Sequence, residues 1–133
     1  MNETLKVLET RRSCRNFKPD MVEEDKLRAI LKAGTYAATG MGKQSPIIIA
    51  VTDKAVRDKI MEENRKIGGW EEGFDPFYGA PTVLVVLADK AIRTCVEDAS
   101  LVIGNLMLAA ESVGAASCWI HRAKQMFETE EGK

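Results

Sequence analysis

Histidine and cysteine are scarce in this chain. Its 133 residues include one histidine, His121, and three cysteines, Cys14, Cys95 and Cys118. The cysteines are odd in number and lack the spacing of metal ligands, so they predict neither a zinc site nor a complete set of disulfides. A single histidine excludes a histidine-rich metal centre. We therefore expect reduced thiols, a cytoplasmic protein and no bound metal.

Neither sign of charge is in excess, because Lys and Arg number 19 and Asp and Glu number 20. That balance argues against a general nucleic-acid binder. No segment reaches the ~18 consecutive apolar residues of a membrane span. Residues 1–12 also lack the apolar centre of a signal peptide. We expect one globular domain over residues 1–133, with neither nucleic acid nor membrane as a partner.

The hydrophobic pattern predicts helices alternating with strands. A short helix around Leu5 and Leu8 ends near Arg11. Further helices are expected at 23–35, 53–64 and 96–113, a helical tail at 123–133, and strands at about 47–52, 81–88 and 116–120. This alternation is typical of an α/β or α+β fold, in which helices pack on a mixed sheet.

The predicted helix at 96–113 is apolar around nearly its whole circumference. A helix of that kind is normally buried on all sides. In so short a chain, its second face is most economically covered by another subunit. We therefore expect an obligate homodimer, in which a charge at Leu106 would separate the subunits.

The densest group of donors lies just after the first predicted helix, in Arg11-Arg12-Ser13-Cys14-Arg15. Arginine presents a planar fork of N–H groups that fits two phosphate oxygens, and serine adds a hydroxyl donor. The group predicts a site for a small anion, most plausibly phosphate. The alternative is a solvated basic turn.

Motifs for self-contained catalysis are missing. A phosphate-binding P-loop around Gly40-Met41-Gly42-Lys43 would need Gly at 37 and Ser or Thr at 44, where the chain has Ala37 and Gln44. Cys118 and His121 are three residues apart on a predicted strand, so their side chains point to opposite faces. We expect no catalytic side chain and a cofactor that carries the chemistry.

Residues 66–80 combine glycines with four aromatic side chains: Trp70, Phe74, Phe77 and Tyr78. A long loop of this composition is commonly functional. Two interpretations remain open. The aromatics either border a planar substrate in a mobile loop or anchor the loop to the core.

The order of these motifs resembles the flavin-dependent nitroreductase family. The resemblance rests on the Arg-Arg-Ser-x-Arg turn, on Thr39-Gly40-Met41-Gly42-Lys43-Gln44-Ser45-Pro46 before a strand, on Tyr78-Gly79-Ala80-Pro81, and on Ser117-Cys118-Trp119-Ile120. It implies an α+β homodimer that binds FMN at the subunit interface. It also implies hydride transfer from NAD(P)H to planar acceptors such as nitroaromatics and quinones.

The resemblance also implies which residues bind the cofactor. The FMN phosphate, the ribityl chain and the pyrimidine edge would be held by Arg11, Arg12, Ser13 and Arg15. The flavin would be approached from the partner subunit by Ala38, Thr39 and Gly40, with Gln44 near the end of that loop. Asn64 or a close neighbour would reach the ring system. The backbone beside the ring would come from Ile120, His121 and Arg122.

Departures from the family pattern leave other functions open. Ala38 and Gly42 stand where relatives commonly have proline and asparagine. The chain ends at Lys133, where relatives continue into another strand and an arm, so we expect both to be lacking. One alternative is a flavin-binding or remnant dimer with little turnover. The other is a flavin enzyme of the same fold with different chemistry, such as dehalogenation or flavin breakdown.

Overall fold

The structure is a computed structural model, and it describes residues 1–128. Contacts divide the chain into two compact units. Unit 1 consists of Met1–Cys14, Val22–Ala50 and Leu84–Cys118. Unit 2 consists of Arg15–Met21, Val51–Val83 and the described residues from Trp119 onward.

Most of the predicted elements are present. The helices are α1 (Glu3–Thr10), α2 (Glu24–Thr35), α3 (Lys54–Gly68), α4 (Cys95–Ser112) and α5 (Ala123–Met126), and the strands are β1 (Ile47–Val51) and β2 (Val83–Leu87). The two strands pair with one another. Helices together with a small sheet confirm the predicted α+β class.

Helix α3 runs past its predicted end at Asn64. Gly68 is still helical, and only Gly69 takes the left-handed conformation, with φ of 71°, that ends the helix. Its N–H donates to the carbonyl of Lys66 at 3.1 Å. A glycine that follows a helix in this conformation is a common helix stop. The predicted loop at 66–80 therefore begins only at Gly69.

The predicted strand at 116–120 is wrong. Within the described residues, this segment forms only an isolated parallel bridge, in which Ser117 pairs with Ser13. The N–H of Cys14 donates to the carbonyl of Ser117 at 2.9 Å. A β-forming composition does not make a strand without a continuous partner ladder. The tail helix predicted at 123–133 is present as α5, which ends at Met126. Residues 129–133 of the prediction lie outside the described part of the chain.

The core of unit 1 lies between α2 and α4. Its buried members are Ile30, Ala37, Val102, Leu106 and Ala110. The two helices approach closely because Gly34 has no side chain: a Cβ there would lie 2.6 Å from Cδ2 of Leu106. Asn105 joins them as well, since its Nδ2 donates to the carbonyl of Ala33 at 3.0 Å.

Helix α4 is buried on one face only. Leu106 belongs to the core and is 6% exposed, so a charge there would disrupt the packing of unit 1 itself. It is therefore the wrong position for a test of dimerisation. Leu101 and Val96, by contrast, are 51% and 58% exposed. Leu101 thus lies on an apolar face of α4 that is exposed to solvent.

Candidate functional site

The basic turn follows directly from the end of α1. The N–H of Arg11 donates to the carbonyl of Val7 at 3.1 Å and closes the helix. Nη1 of Arg12 donates to the carbonyls of Glu9 at 2.9 Å and Arg11 at 2.8 Å. Cations are favoured at helix C-termini, where the carbonyls lack helical partners. One nitrogen of Arg12 is thus used to hold the turn.

The arginines of this turn lack carboxylate partners. None of the ion pairs among residues 1–128 includes Arg11, Arg12 or Arg15. Nη1 of Arg11 is moreover buried without a hydrogen-bond partner in the described part of the chain. A buried donor left unsatisfied costs ~1–3 kcal/mol, and more when it is charged. An anion at this turn would remove that cost.

The loop after α2 is fixed to the first turn of α4. The N–H of Gly40 donates to Oδ1 of Asp98 at 2.9 Å, and the hydroxyl of Thr94 donates to Oδ2 at 2.9 Å. Asp98 is only 2% exposed. A Cβ at position 40 would collide with the Thr94 hydroxyl. Glycine at this position is therefore a steric requirement.

Gln44 closes the same loop through its side chain. Its Nε2 donates to the carbonyls of Thr35 at 2.9 Å and Ala37 at 3.2 Å, and its Oε1 accepts from the Thr39 hydroxyl at 2.5 Å. Both ends of the amide are thus used to shape the loop. Ala38 is exposed and Gly40 is half-buried. Contact of Ala38, Thr39, Gly40 and Gln44 with a cofactor stays a prediction.

Asn64 is the most deeply buried of the predicted site residues. It is completely buried, at 0% exposure, on helix α3 of unit 2. Neither Oδ1 nor Nδ2 has a hydrogen-bond partner among the described residues. Native proteins rarely leave a buried amide unsatisfied. Contact of this amide with a cofactor stays a prediction.

Residues Ile120, His121 and Arg122 also lie in unit 2, just before α5. Helix α5 packs against α3, the helix that carries Asn64. His121 and Arg122 are exposed and, with Gln125, line a cavity of about 260 Å³. The Arg122 guanidinium lies 5.5 Å from the centre of the Trp70 ring. Cation–π contact of this kind joins the segment to the aromatic loop.

The second half of the aromatic loop is anchored by Arg57. Arg57, 6% exposed on α3, donates to the carboxylate of Asp75 at 2.6 Å and to the carbonyl of Ala80 at 2.8 Å. Phe77 is 4% exposed and lies beneath the same guanidinium. Trp70 and Phe74 remain over one third exposed, with ring centres 5.1 Å apart. The anchoring interpretation is therefore confirmed for Phe77, whereas contact of Trp70 and Phe74 with a planar substrate stays a prediction.

The Arg57–Asp75 anchor was missed by sequence reasoning. Two signals pointed to it. Arg57 precedes Asn64 by two helical turns and so shares its face. Asp75-Pro76 is a turn-forming pair, and Oδ1 of Asp75 accepts from the N–H of Phe77 at 2.8 Å.

The structure distributes the predicted site residues over both units. Unit 1 contains Arg11, Arg12, Ser13, Ala38, Thr39, Gly40 and Gln44, and unit 2 contains Arg15, Asn64, Ile120, His121 and Arg122. Across residues 1–128, no three side chains of the metal-ligating types form a cluster. No helix in that range is long and apolar enough to cross a membrane.

Residues 8–128 match the model of the nitroreductase family. The chain belongs to this family. The prediction from the arginine turn and the glycine loop is thereby confirmed. A protein of Archaeoglobus fulgidus named "Putative NADH dehydrogenase/NAD(P)H nitroreductase" is 30% identical over 125 residues, which are 90% of this chain and 68% of that protein.

Two solved nitroreductase structures with bound FMN share the fold. The protein from Desulfitobacterium hafniense has a TM-score of 0.87 and 31% identity, over 96% of this chain and 74% of that chain. The protein from Bacteroides fragilis has a TM-score of 0.83 and 28% identity, over 99% and 83% respectively. The nitroreductase-like α+β fold predicted from the sequence is confirmed by these structures.

Proposed function

We propose that this protein is an FMN-dependent oxidoreductase that passes hydride from NAD(P)H to small planar acceptors of the nitroaromatic or quinone type. Family membership supports this function, as do the FMN-bound structures to which the chain is similar. The name of the Archaeoglobus relative supports NAD(P)H as the co-substrate.

One observation in the chain itself carries the proposal. Nη1 of Arg11 is buried without an acceptor, in a turn whose arginines have no carboxylate partner among the described residues. A phosphate monoester supplies the acceptor oxygens that such donors need, and arginine binds it in bidentate fashion. The turn therefore fits the phosphate end of FMN.

The remaining roles follow the same proposal. Arg11, Arg12, Ser13 and Arg15 bind the phosphate, the ribityl chain and the pyrimidine edge. The backbone of Ile120, His121 and Arg122 orients the ring and supplies donors where negative charge accumulates. Bound FMN would accept a hydride from NAD(P)H and donate it to the acceptor. The exposed Trp70 and Phe74 offer stacking surfaces for that acceptor.

Asn64 meets the cofactor only after a rearrangement. Its amide is completely covered, so neighbouring side chains must move before it can hydrogen-bond to the flavin. The rearrangement would give the Asn64 amide the hydrogen-bond partners that it lacks within the described chain. We therefore expect cofactor binding to tighten the region around α3.

The proposal includes a cytoplasmic homodimer in which each chain is a single domain. The two units are interleaved in sequence, so neither is a contiguous segment. In unit 1, Leu101 on α4 and Ile47 and Ile49 on β1 are 44–57% exposed. Apolar side chains of this kind are typical of obligate interfaces. Residues Thr39 and Gly40 approach the partner's flavin across this interface.

Flavin occupancy and its reduction test the proposed function. Purified protein supplied with FMN should retain it through gel filtration and show flavin absorbance. Anaerobic addition of NADH or NADPH should bleach that absorbance, and a quinone should restore it. Protein that retains FMN without bleaching would be a flavin-binding remnant instead. Protein that takes up no FMN would contradict the cofactor assignment.

A further inference from the structure

Two of the three cysteines lie next to a backbone bridge between the basic turn and residues 116–118. Ser13 and Ser117 form a parallel bridge, and the N–H of Cys14 donates to the carbonyl of Ser117 at 2.9 Å. Cys14 follows Ser13 and Cys118 follows Ser117, so each cysteine lies one residue beyond the bridge on its own segment. Both lie in unit 1, and both are half-buried thiols.

The register of the bridge sets the separation of the two cysteines. Neighbouring β segments lie ~4.8 Å apart, and residues one step beyond a pair project from the same face. Disulfides form between cysteines whose Cα atoms lie ~4.4–6.8 Å apart and whose Cβ vectors do not point apart. Extended by one residue, the register of the bridge places Cys14 opposite Cys118 at a backbone separation of that size. Cys95, at the first residue of α4, takes no part in this bridge.

We propose that Cys14 and Cys118 are a redox-sensitive pair that a hydroperoxide converts into an intrachain disulfide. One thiolate sulfur attacks a peroxide oxygen, the O–O bond breaks, and a sulfenic acid and water are formed. The second sulfur then attacks the sulfenic sulfur, the S–O bond breaks, and hydroxide leaves as water after protonation. Two thiols lose two electrons, and one hydrogen peroxide becomes two waters.

The disulfide would fix the basic turn to residues 117–118 covalently. The covalent bond would add to the backbone pairing of Ser13 with Ser117, to which the hydrogen bond from the N–H of Cys14 belongs. Cys14 lies between Ser13 and Arg15, so the bond would restrict the group of donors that we assign to an anion. Disulfides in cytosolic proteins are commonly transient and redox-sensing. The inference rests on backbone pairing and is independent of the proposed flavin chemistry.

Mass spectrometry of the full chain tests the pair directly. Reduced protein is treated with an equimolar amount of hydrogen peroxide, and the remaining thiols are alkylated. Trypsin alone leaves Cys95 and Cys118 on one peptide, so cleavage after Glu111 is needed to separate them. We expect a peptide linked between Cys14 and Cys118 in most chains, with Cys95 alkylated. Dithiothreitol should restore all three thiols.

Three serine variants make the assignment specific. Cys95→Ser should leave the linked peptide unchanged, whereas Cys14→Ser and Cys118→Ser should each abolish it. In the wild type, oxidation should also raise the midpoint of thermal unfolding by about 10 °C, since a bridge closes a long loop. Alkylation of both cysteines after peroxide, or a disulfide that joins Cys95 or two chains instead, would overturn the proposal.

Discussion

Two arginines with buried guanidinium nitrogens differ in what surrounds them. Arg57 donates to Asp75 at 2.6 Å and to Ala80 at 2.8 Å, and its guanidinium lies over the Phe77 ring. Arg11 has a buried Nη1 without any hydrogen-bond partner among the described residues. The first guanidinium is satisfied by the chain itself and stabilises the fold. For the second, we propose that an anion supplies the missing acceptor.

The same contrast separates two asparagines. Asn105 on α4 donates to the carbonyl of Ala33 at 3.0 Å and thereby joins two helices. Asn64 on α3 is fully buried, and its amide has no partner in the described chain. Asn105 thus stabilises the fold through its own partner in the chain, and Asn64 is the asparagine that we propose for the cofactor.

The largest expected effect is on Arg57. Arg57→Met should lower the free energy of unfolding by about 3 kcal/mol, because Asp75 and the carbonyl of Ala80 lose their partner. Urea denaturation of the cofactor-depleted protein measures this. If the free energy of unfolding fell no more than it does for a substitution on the surface, Arg57 would not stabilise the fold. The contrast between Arg57 and Arg11 would then be wrong.

Substitution of the two asparagines should change the free energy of unfolding in opposite directions. Asn105→Leu should destabilise the protein by about 1 kcal/mol, since a hydrogen bond is lost. Asn64→Leu should stabilise the cofactor-free protein by up to about 1 kcal/mol, because a buried amide without a partner is removed. FMN affinity should fall for Asn64→Leu. If Asn64→Leu destabilised the protein as much as Asn105→Leu, Asn64 would be structural.

The smallest effect is expected on the exposed face of α3, where Lys54 pairs with Asp58. A hydrogen bond from Lys54, together with its charge and a contact from Arg57, lowers the pKa of Asp58. A lowered pKa stabilises the fold above the unfolded pKa, and the contribution is lost as pH falls through the folded value. Exposed pairs contribute little. Lys54→Met should therefore leave the unfolding midpoint nearly unchanged at pH 7 and unchanged in acid.

The sequence predicted the elements whose signals are local. Helical spacing identified α2 and α4, and the density of arginines identified the basic turn. The Arg57–Asp75 pair joins residues 18 positions apart, so local patterns single out each member but do not specify that the two pair with one another. For Gln44, the resemblance predicts contact with the cofactor, which stays a prediction, and the structure adds that its amide closes its own loop. That distinction depends on the partners of a side chain, which become known only from coordinates.

The central claim is that the basic turn binds the phosphate of FMN. A comparison of FMN with riboflavin, which lacks the phosphate, tests it most directly by titration of flavin fluorescence. The wild type should bind FMN ten- to a hundredfold more tightly, the equivalent of ~1.5–3 kcal/mol. Arg15→Ala should remove most of that preference and leave riboflavin affinity unchanged, whereas the control Lys18→Ala should retain it. An undiminished preference for FMN in Arg15→Ala would contradict the account.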